Sequence, residues 1–350
     1  MEESLKNTRV VAVALSGGVD SGAAAYILKE DGYKVFGITM KLFDDYDIKS
    51  AQYVAEKLDI DHYVVDYTQY FKDEIINKFI DEYISGKTPN PCIRCNMKIK
   101  YGKLLSDAKK LGADLLASGH YADIKYDKDD NKYHLYKSKA KNKDQSYYLY
   151  HLSQQQLSNI ILPLAQYESK EELRNMVKYI IPETSKKKDS LNICFTKDMS
   201  HSIFIKSACG FINTKGNFID RNGKFLGHHR GIYNYTIGQK RGLGIKSDKP
   251  LYVVSINPET GEIMLGDDID TYKNEIDVRD VSYIDESYRM LESFVCETKL
   301  CQWGYYIKCT VYNKGDAALV KFDKPERAPT PGQSAVFYNG DEVLGGGIII

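Results

Sequence analysis

Three observations predict an α/β fold with a parallel sheet in the first part of the chain and a β-rich remainder. Short apolar runs alternate with amphipathic stretches between residues 10 and 117, and glycine turns punctuate the ends of those runs. Beyond about residue 205 the helical period gives way to short alternating runs broken by Gly, Pro and Asn. Val10 to Leu15 is a continuous apolar run ended by Ser16-Gly17-Gly18, and an apolar helical stretch covers Ala23 to Leu28. That order reads as strand, tight turn, helix. Lys34 to Met40 reads as a second strand, Ile48 to Leu58 as a helix with Ala51, Val54, Ala55 and Leu58 on one face, and His62 to Val65 as a third strand. A helix follows over Phe71 to Ile84. The prolines of Ser85-Gly86-Lys87-Thr88-Pro89-Asn90-Pro91 then require a loop, before a helix over Met97 to Leu111. Asp114 to Ala117 gives a fourth strand, ending in Ser118-Gly119-His120. In an open parallel sheet ligands sit beyond the carboxyl ends of the strands, so the turns after Leu15, Met40 and Ala117 are expected to face one cleft.

The chain has 350 residues, enough for about two to three domains with substantial cores. With 43% hydrophobic and 27% charged residues it is neither disordered nor fibrous, and no apolar run is long enough for a membrane-spanning helix. Forty-eight basic residues balance 48 acidic ones, so any nucleic-acid site is a local patch. The polar start, Met1 to Arg9, lacks the pattern of an export signal, and seven cysteines at no disulfide-scaffold spacing suit a reducing compartment; a cytoplasmic location is expected. Most of those cysteines are read as core residues.

Ser16-Gly17-Gly18-Val19-Asp20-Ser21 has the character of a phosphate cradle, because glycines admit close backbone approach and the following helix start offers unpaired N–H groups. It is neither the Gly-Lys-Ser/Thr phosphate loop nor the dinucleotide fingerprint. The run resembles the pyrophosphate loop of the N-type ATP pyrophosphatases, which cleave ATP to AMP and pyrophosphate while adenylating an oxygen. Met40-Lys41, Thr88-Pro89-Asn90-Pro91, Cys95-Asn96, Gly119-His120-Tyr121-Ala122, Lys143-Asp144-Gln145-Ser146-Tyr147, Lys187-Lys188-Asp189-Ser190, Ile193-Cys194-Phe195, Tyr235-Thr236-Ile237-Gly238-Gln239 and Thr330-Pro331-Gly332-Gln333 follow in order. Together they resemble the tRNA-specific 2-thiouridylase family over essentially the whole chain.

That resemblance implies an adenine-nucleotide-hydrolase-like catalytic domain over residues 1–205, a small central β-rich domain over 206–275 and a C-terminal β-barrel over 276–350. It implies replacement of the C2 oxygen of a uridine, at the tRNA wobble position, by sulfur. The carbonyl is a poor electrophile and its oxygen a poor leaving group, so adenylation by ATP precedes sulfur attack. Ala14, Leu15, Ser16, Gly17, Gly18, Val19, Asp20 and Ser21 are then expected to bind ATP, with Met40 and Gly119 at its purine and ribose, and Asp20 to meet Mg2+. The cysteine matching Cys194 carries a persulfide from an upstream donor, a cysteine desulfurase or sulfur carrier. The one matching Cys95 attacks it, and Arg94 lies beside Cys95 in sequence. Asn90, Pro91, Cys92, Lys143, Asp144 and Gln145 are expected against RNA, and no membrane partner is expected.

Two departures stand out. Cys92 occupies a position where the family carries Asp, making a C-x-x-C in the loop and adding a third thiol near the other two where Cys194 folds over that loop. Cys92, Cys95 and Cys194 would suit a [4Fe-4S] cluster with one open iron; cluster-free persulfide chemistry and zinc are the alternatives. Cys301-Gln302 replaces an Arg-Tyr pair expected to touch RNA, and Gly22 replaces a second serine after the glycine turn. Another RNA position or RNA class is therefore an open alternative, as is an amide-forming ATP pyrophosphatase, which gives the cysteines no task. A non-catalytic RNA-binding protein is the remaining alternative. Lys137, Lys139 and Lys141, Lys186 to Lys188, His228-His229-Arg230 and Lys240-Arg241 are basic clusters suited to phosphate contacts. His120 is read as a hydrogen-bonding residue at a strand end.

Overall fold

The computed structural model describes residues 8–187, 193–197, 199–210 and 216–350. The N-terminal sheet is parallel, in the order β3-β2-β1-β4-β7: β1 is Val10–Ala14, β2 Lys34–Lys41, β3 Asp61–Asp66, β4 Leu115–Ala117 and β7 Ile160–Ile161. Successive side chains of β1 enter different cores. Ala12 and Ala14 pack with Phe36, Ile38 and Met40, whereas Val11 and Val13 pack under helices α1 (Val19–Glu30) and α2 (Ile48–Leu58). Burial on both faces is why these strands read as unbroken apolar runs rather than alternating ones. In α2 the four residues buried are Ala51, Val54, Ala55 and Leu58. Because β2 and β4 flank β1 on opposite sides, the chain reverses its winding at β1, and the crevice opens between the carboxyl ends of β1 and β4.

Helix α3 runs through the consecutive segments Thr68–Phe71, Lys72–Asn77 and Lys78–Ile84, the middle one a stretch of wide i→i+5 turns. Helix α4 is built the same way, from Pro91–Cys95, Asn96–Leu104 and Leu105–Lys110. Its start corrects the sequence reading, which put Cys92 and Cys95 in a loop. Pro91 occupies the first helical turn, where its missing N–H costs nothing, and the Asn90 side chain caps the helix by accepting from the Cys92 N–H. The expected loop therefore ends at Asn90.

The central part is a four-stranded sheet of β8 (Gly216–Ile219), β9 (Phe225–His229), β10 (Tyr252–Asn257) and β11 (Glu262–Gly266), with its own core around Phe218, Ile232, Val253 and Ile263. Six strands then close a barrel: β12 (Tyr272–Tyr283), β15 (Ala317–Arg327), β14 (Ile307–Lys314), β13 (Ser293–Lys299), β16 (Ser334–Asn339) and β17 (Glu342–Ile349), with β17 returning to pair with β12. Cys296 and Cys309 face each other inside it as core residues.

A hairpin of β5 (Ala122–Asp127) and β6 (Lys132–Lys137), which follows β4, joins the barrel sheet through Glu342↔Tyr136 and Val343↔Leu135. The first and last parts of the chain thus share one sheet. His134 sits in this joint between Glu342 (2.6 Å) and Asp130 (3.0 Å). Burial lowers its pKa, but the two carboxylates outweigh that and hold it above the usual 6.5. A raised histidine stabilises the fold fully below its unfolded value and loses that contribution as pH rises through the folded one. His134→Asn is accordingly expected to lower the melting temperature at pH 6 more than at pH 8.5, a difference read by calorimetry at the two pH values.

Candidate active site

The turn after β1 is shaped for an anion. Gly17 adopts φ +71° and lies against the start of α2, where a Cβ would stand 2.4 Å from that of Ser50. Gly18 is the N-cap of α1 and brings no side-chain acceptor, so the first N–H groups and the positive end of the helix dipole are left for an external anion. The Ser21 hydroxyl closes the turn: its Oγ accepts from the Ser16 N–H (3.2 Å), donates to the Gly18 carbonyl (3.1 Å) and lies 3.1 Å from the Ser16 Oγ. Gly119, after β4, presses directly on α1, with the Asp20 carbonyl carbon 2.7 Å from where a Cβ would be. Ala14, Leu15, Val19 and Met40 are buried in the two cores, so they offer the crevice mainly backbone. Gly22 faces away, against Ile181, which accounts for the loss of a serine there.

Asp20 has both carboxylate oxygens engaged. The Tyr121 hydroxyl donates to Oδ1 (2.9 Å) and the Lys170 ammonium to Oδ2 (2.7 Å). One carboxylate beside nucleotide phosphates is a donor set that suits Mg2+.

The thiols gather a short distance away. Cys92 and Cys95, three apart on the first turn of α4, share a helix face. Cys194 is brought to them by the residue after it: Phe195 is buried among Phe71, Phe79 and Phe204, with ring centroids 5.7, 5.2 and 5.1 Å away. Ion pairs of Lys187 with Asp47 and of Lys197 with Asp45 tie the same segment to the loop after β2. Part of the Lys187-Lys188-Asp189-Ser190 run lies outside the described residues.

Cys92 and Cys194 are open to solvent and Cys95 is half-buried, yet the protein around this recess disfavours a thiolate at all three. Burial pushes Cys95 up to about 12 and Cys194 up to about 11, and each thiol also feels others of the set. The opposing charge is Lys100, which lowers the pKa of all three and is itself lowered by burial. Arg94, the cation adjacent in sequence, does not serve this role. Its guanidinium turns to the Glu74 carbonyl (2.6 Å) and carboxylate (2.8 Å). At 3.6 residues per turn Lys100 would lie about 140° around the helix from Cys95. The wide turns of Asn96–Leu104 break that period, as such turns often do beside functional groups.

Lys100 links the recess to the nucleotide turn. Its Nζ lies 3.4 Å from His120 Nε2, and His120 Nδ1 lies 2.6 Å from the Tyr101 hydroxyl and 2.8 Å from that of Ser118. Burial, then the Lys100 charge, hold His120 well below 6.5, so the ring is neutral and Nε2 accepts from the ammonium. His120 is a positioning group, as its strand-end location implies, and Gly119 beside it touches α1.

The remaining predicted residues build the frame. Thr88 donates its N–H to the Pro331 carbonyl (2.8 Å), accepts from Gln333 Nε2 (2.7 Å) and meets the Thr236 hydroxyl (3.2 Å). The T-P-N-P, T-I-G-Q and T-P-G-Q runs therefore converge on one point, joining all three sheets just ahead of Asn90. Asp144 is buried. Its carboxylate accepts from Ser138 N–H (3.0 Å) and Ser146 Oγ (2.8 Å), so it shapes its own loop instead of presenting a side chain to RNA. The Gln145 side chain accepts from the Tyr121 N–H (3.1 Å), while Lys143 is partly exposed. Of the basic clusters, Lys139, Lys141, Arg230, Lys240 and Arg241 are exposed, whereas Lys137 bonds the Gly340 carbonyl and His229 the Gly261 carbonyl.

Among the described residues, the set of three metal-type ligands within 4.8 Å of one another is Asp127, Asp130 and His134, not the cysteines. A single zinc with bonds of about 2.3 Å needs thiolates about 4 Å apart, so the recess is not preformed for one. A four-iron cube takes its thiolates farther apart.

Comparison with known proteins agrees with this geometry. Family models match residues 9–198 as a tRNA methyl transferase HUP domain, 203–267 as the corresponding PRC-barrel domain and 273–349 as an aminomethyltransferase β-barrel domain. A tRNA-specific 2-thiouridylase MnmA of Clostridioides difficile is 41% identical over 97% of this chain and 97% of its own. The chain belongs to the tRNA-specific 2-thiouridylase family. A second 2-thiouridylase, from Caldanaerobacter subterraneus, is 44% identical over 98% of both chains, and one from Clostridium botulinum is 43% identical over 97% of this chain and 98% of its own. At 301–302, where the 2-thiouridylase resemblance expects Arg-Tyr, Gln302 is buried and its Nε2 donates to the Asp144 carbonyl (2.6 Å). Cys301, where the arginine is expected, is exposed, and Gln302, where the tyrosine is expected, supplies a bond between barrel and catalytic part. Among the described residues no helix is long and apolar enough to cross a membrane.

Proposed function

We propose that this protein forms 2-thiouridine in tRNA at the expense of ATP, with the wobble uridine as its target. The observation that carries the reading is the gathering of Cys95 and Cys194, far apart in sequence, around Lys100, which is joined through His120 and Gly119 to the anion-binding start of α1. An amide-forming pyrophosphatase has no use for that recess. Neither does methyl transfer, the chemistry in the family-model descriptions, and the full-length relatives are named for thiolation.

The α1 N-terminus holds the pyrophosphate of ATP while the uridine O2 attacks the α-phosphorus. The bond to the β-phosphate breaks, pyrophosphate leaves, and C2 carries AMP as its leaving group. Cys194 accepts sulfane sulfur from a donor as a persulfide. Cys95, its thiolate favoured by the Lys100 charge, attacks that persulfide at the Cys194 sulfur, giving a Cys95–Cys194 disulfide and hydrosulfide, which takes up the proton of Cys95. Sulfide then adds at C2 and AMP departs; an external thiol restores both cysteines. Burial raises the Cys95 thiol, and the Lys100 charge is what opposes that rise. Alternatively, Cys92, Cys95 and Cys194 hold a [4Fe-4S] cluster, which would supply an open iron site for sulfide.

Anaerobically purified protein, tRNA, ATP, Mg2+ and a cysteine desulfurase system are expected to yield 2-thiouridine on nucleoside mass spectrometry. AMP formation with no thiolated nucleoside in any RNA offered would refute the reading. The cluster version expects a brown protein whose visible absorbance Cys92→Ala removes; a colourless, fully active preparation refutes it and leaves the persulfide route.

A further inference from the structure

Asp20 and Lys170 are 150 residues apart, and their pairing runs against local electrostatics. Lys170 opens helix α5 (Lys170–Val177), whose N-terminal end disfavours a cation, and Glu171 and Glu172 supply the acids that this end prefers. There the ammonium meets the Asp20 carboxylate at 2.7 Å, with the lysine side chain mostly covered. The other oxygen of Asp20 is held by a fixed group: Tyr121 donates from a backbone locked by Gln145, which accepts from the Tyr121 N–H and donates its own N–H to the Tyr121 carbonyl (2.7 Å). Of the two groups that bond Asp20 here, Lys170 carries the flexible four-carbon stem and Tyr121 the rigid ring.

Building on the ATP reading, we propose that Lys170 is a resident counter-ion that keeps divalent metal off Asp20 until nucleotide arrives, and then moves onto the phosphates. Mg2+ seeks a carboxylate with free charge together with phosphate oxygens. With Lys170 in place, a metal ion at Asp20 would sit a few ångströms from another cation and share one carboxylate with it. The triphosphate brings several negative charges to the α1 N-terminus and gives the ammonium a stronger partner. Asp20 is then released to the metal on the same phosphates. The result is an obligatory order, nucleotide before metal, and a lysine left on the pyrophosphate when it departs.

Mn2+ binding to the full chain, followed by electron paramagnetic resonance with neither RNA nor sulfur donor present, tests this directly. In nucleotide-free wild type any Mn2+ binding is expected to be the same with or without Asp20→Asn, and one further ion, with a protein-broadened signal, is expected once a non-hydrolysable ATP analogue is added. Lys170→Met is expected to bind Mn2+ without nucleotide about tenfold or more tightly than wild type. The Asp20→Asn, Lys170→Met double variant should lose that gain, and Lys170→Arg should behave like wild type. Wild type that binds Mn2+ at Asp20 without nucleotide overturns the proposal, even if Lys170→Met does not fold. So does a folded Lys170→Met with no gain. Failure of wild type to bind the ATP analogue would instead overturn the nucleotide reading, whereas absence of thiolation leaves this test untouched.

Discussion

Cys194→Ser is expected to abolish 2-thiouridine while pyrophosphate is still released from ATP in the presence of tRNA. The two half-reactions draw on different residues. Adenylation needs the glycine turn and the α1 N-terminus, whereas sulfur delivery needs the thiols around Lys100. Serine preserves shape but neither accepts sulfane sulfur nor forms a disulfide, so thiolation should fall by about a thousandfold or more. Cys95→Ser should give the same split, with one difference: Cys194 would load sulfur and keep it, a persulfide visible as an added sulfur mass on the Cys194 peptide. Full thiolation by either variant would defeat the assignment. Simultaneous loss of pyrophosphate release would mean that the substitution had disturbed the frame. The aromatic seat of Phe195 guards against that at Cys194 in particular, because the anchoring contacts belong to the next residue.

The parts of the molecule legible in the sequence are those governed by local periodicity. Helix α2 and its buried face followed from the spacing of Ala51, Val54, Ala55 and Leu58, and the parallel strands from apolar runs closed by glycines. Ser16 to Ser21 could be placed at the crevice because strand, glycine turn and helix start are consecutive. What escaped depends on distant partners or on broken periodicity. No local pattern says that β6 pairs with β17, about two hundred residues later, or that Asp144 is taken up by internal donors. Arg94 was the evident cation beside Cys95, but its partner Glu74 comes from α3. Lys100 faces the thiols through a helix that departs from the ordinary period, and Asp20 looked free for a metal because Lys170 lies on another helix.

Gly119→Ala is expected to disable nucleotide binding through a single methyl group. The added Cβ would stand 2.7 Å from the Asp20 carbonyl carbon and 2.8 Å from both the Asp20 carbonyl oxygen and the Ser21 nitrogen. All three are backbone atoms of the first turn of α1, so no rotamer change relieves the contact. Either α1 moves off the turn after β4 or that turn moves off α1. Both tilt the N–H groups that would receive the pyrophosphate, and both shift His120, hence Lys100. Overpacking of this kind costs about 1 to 3 kcal/mol, and where that strain is relieved by misaligning the cradle, affinity for an ATP analogue falls by about tenfold to a hundredfold. Gly112 supplies the control. It has φ +93° and nothing within 4 Å of the added carbon, so Gly112→Ala carries backbone strain without a clash. That variant should melt earlier but bind the analogue as wild type does. Titration calorimetry with the analogue, alongside thermal melts, separates the two cases. Undiminished affinity in Gly119→Ala would mean that α1 and the turn after β4 are not held together as the nucleotide site requires.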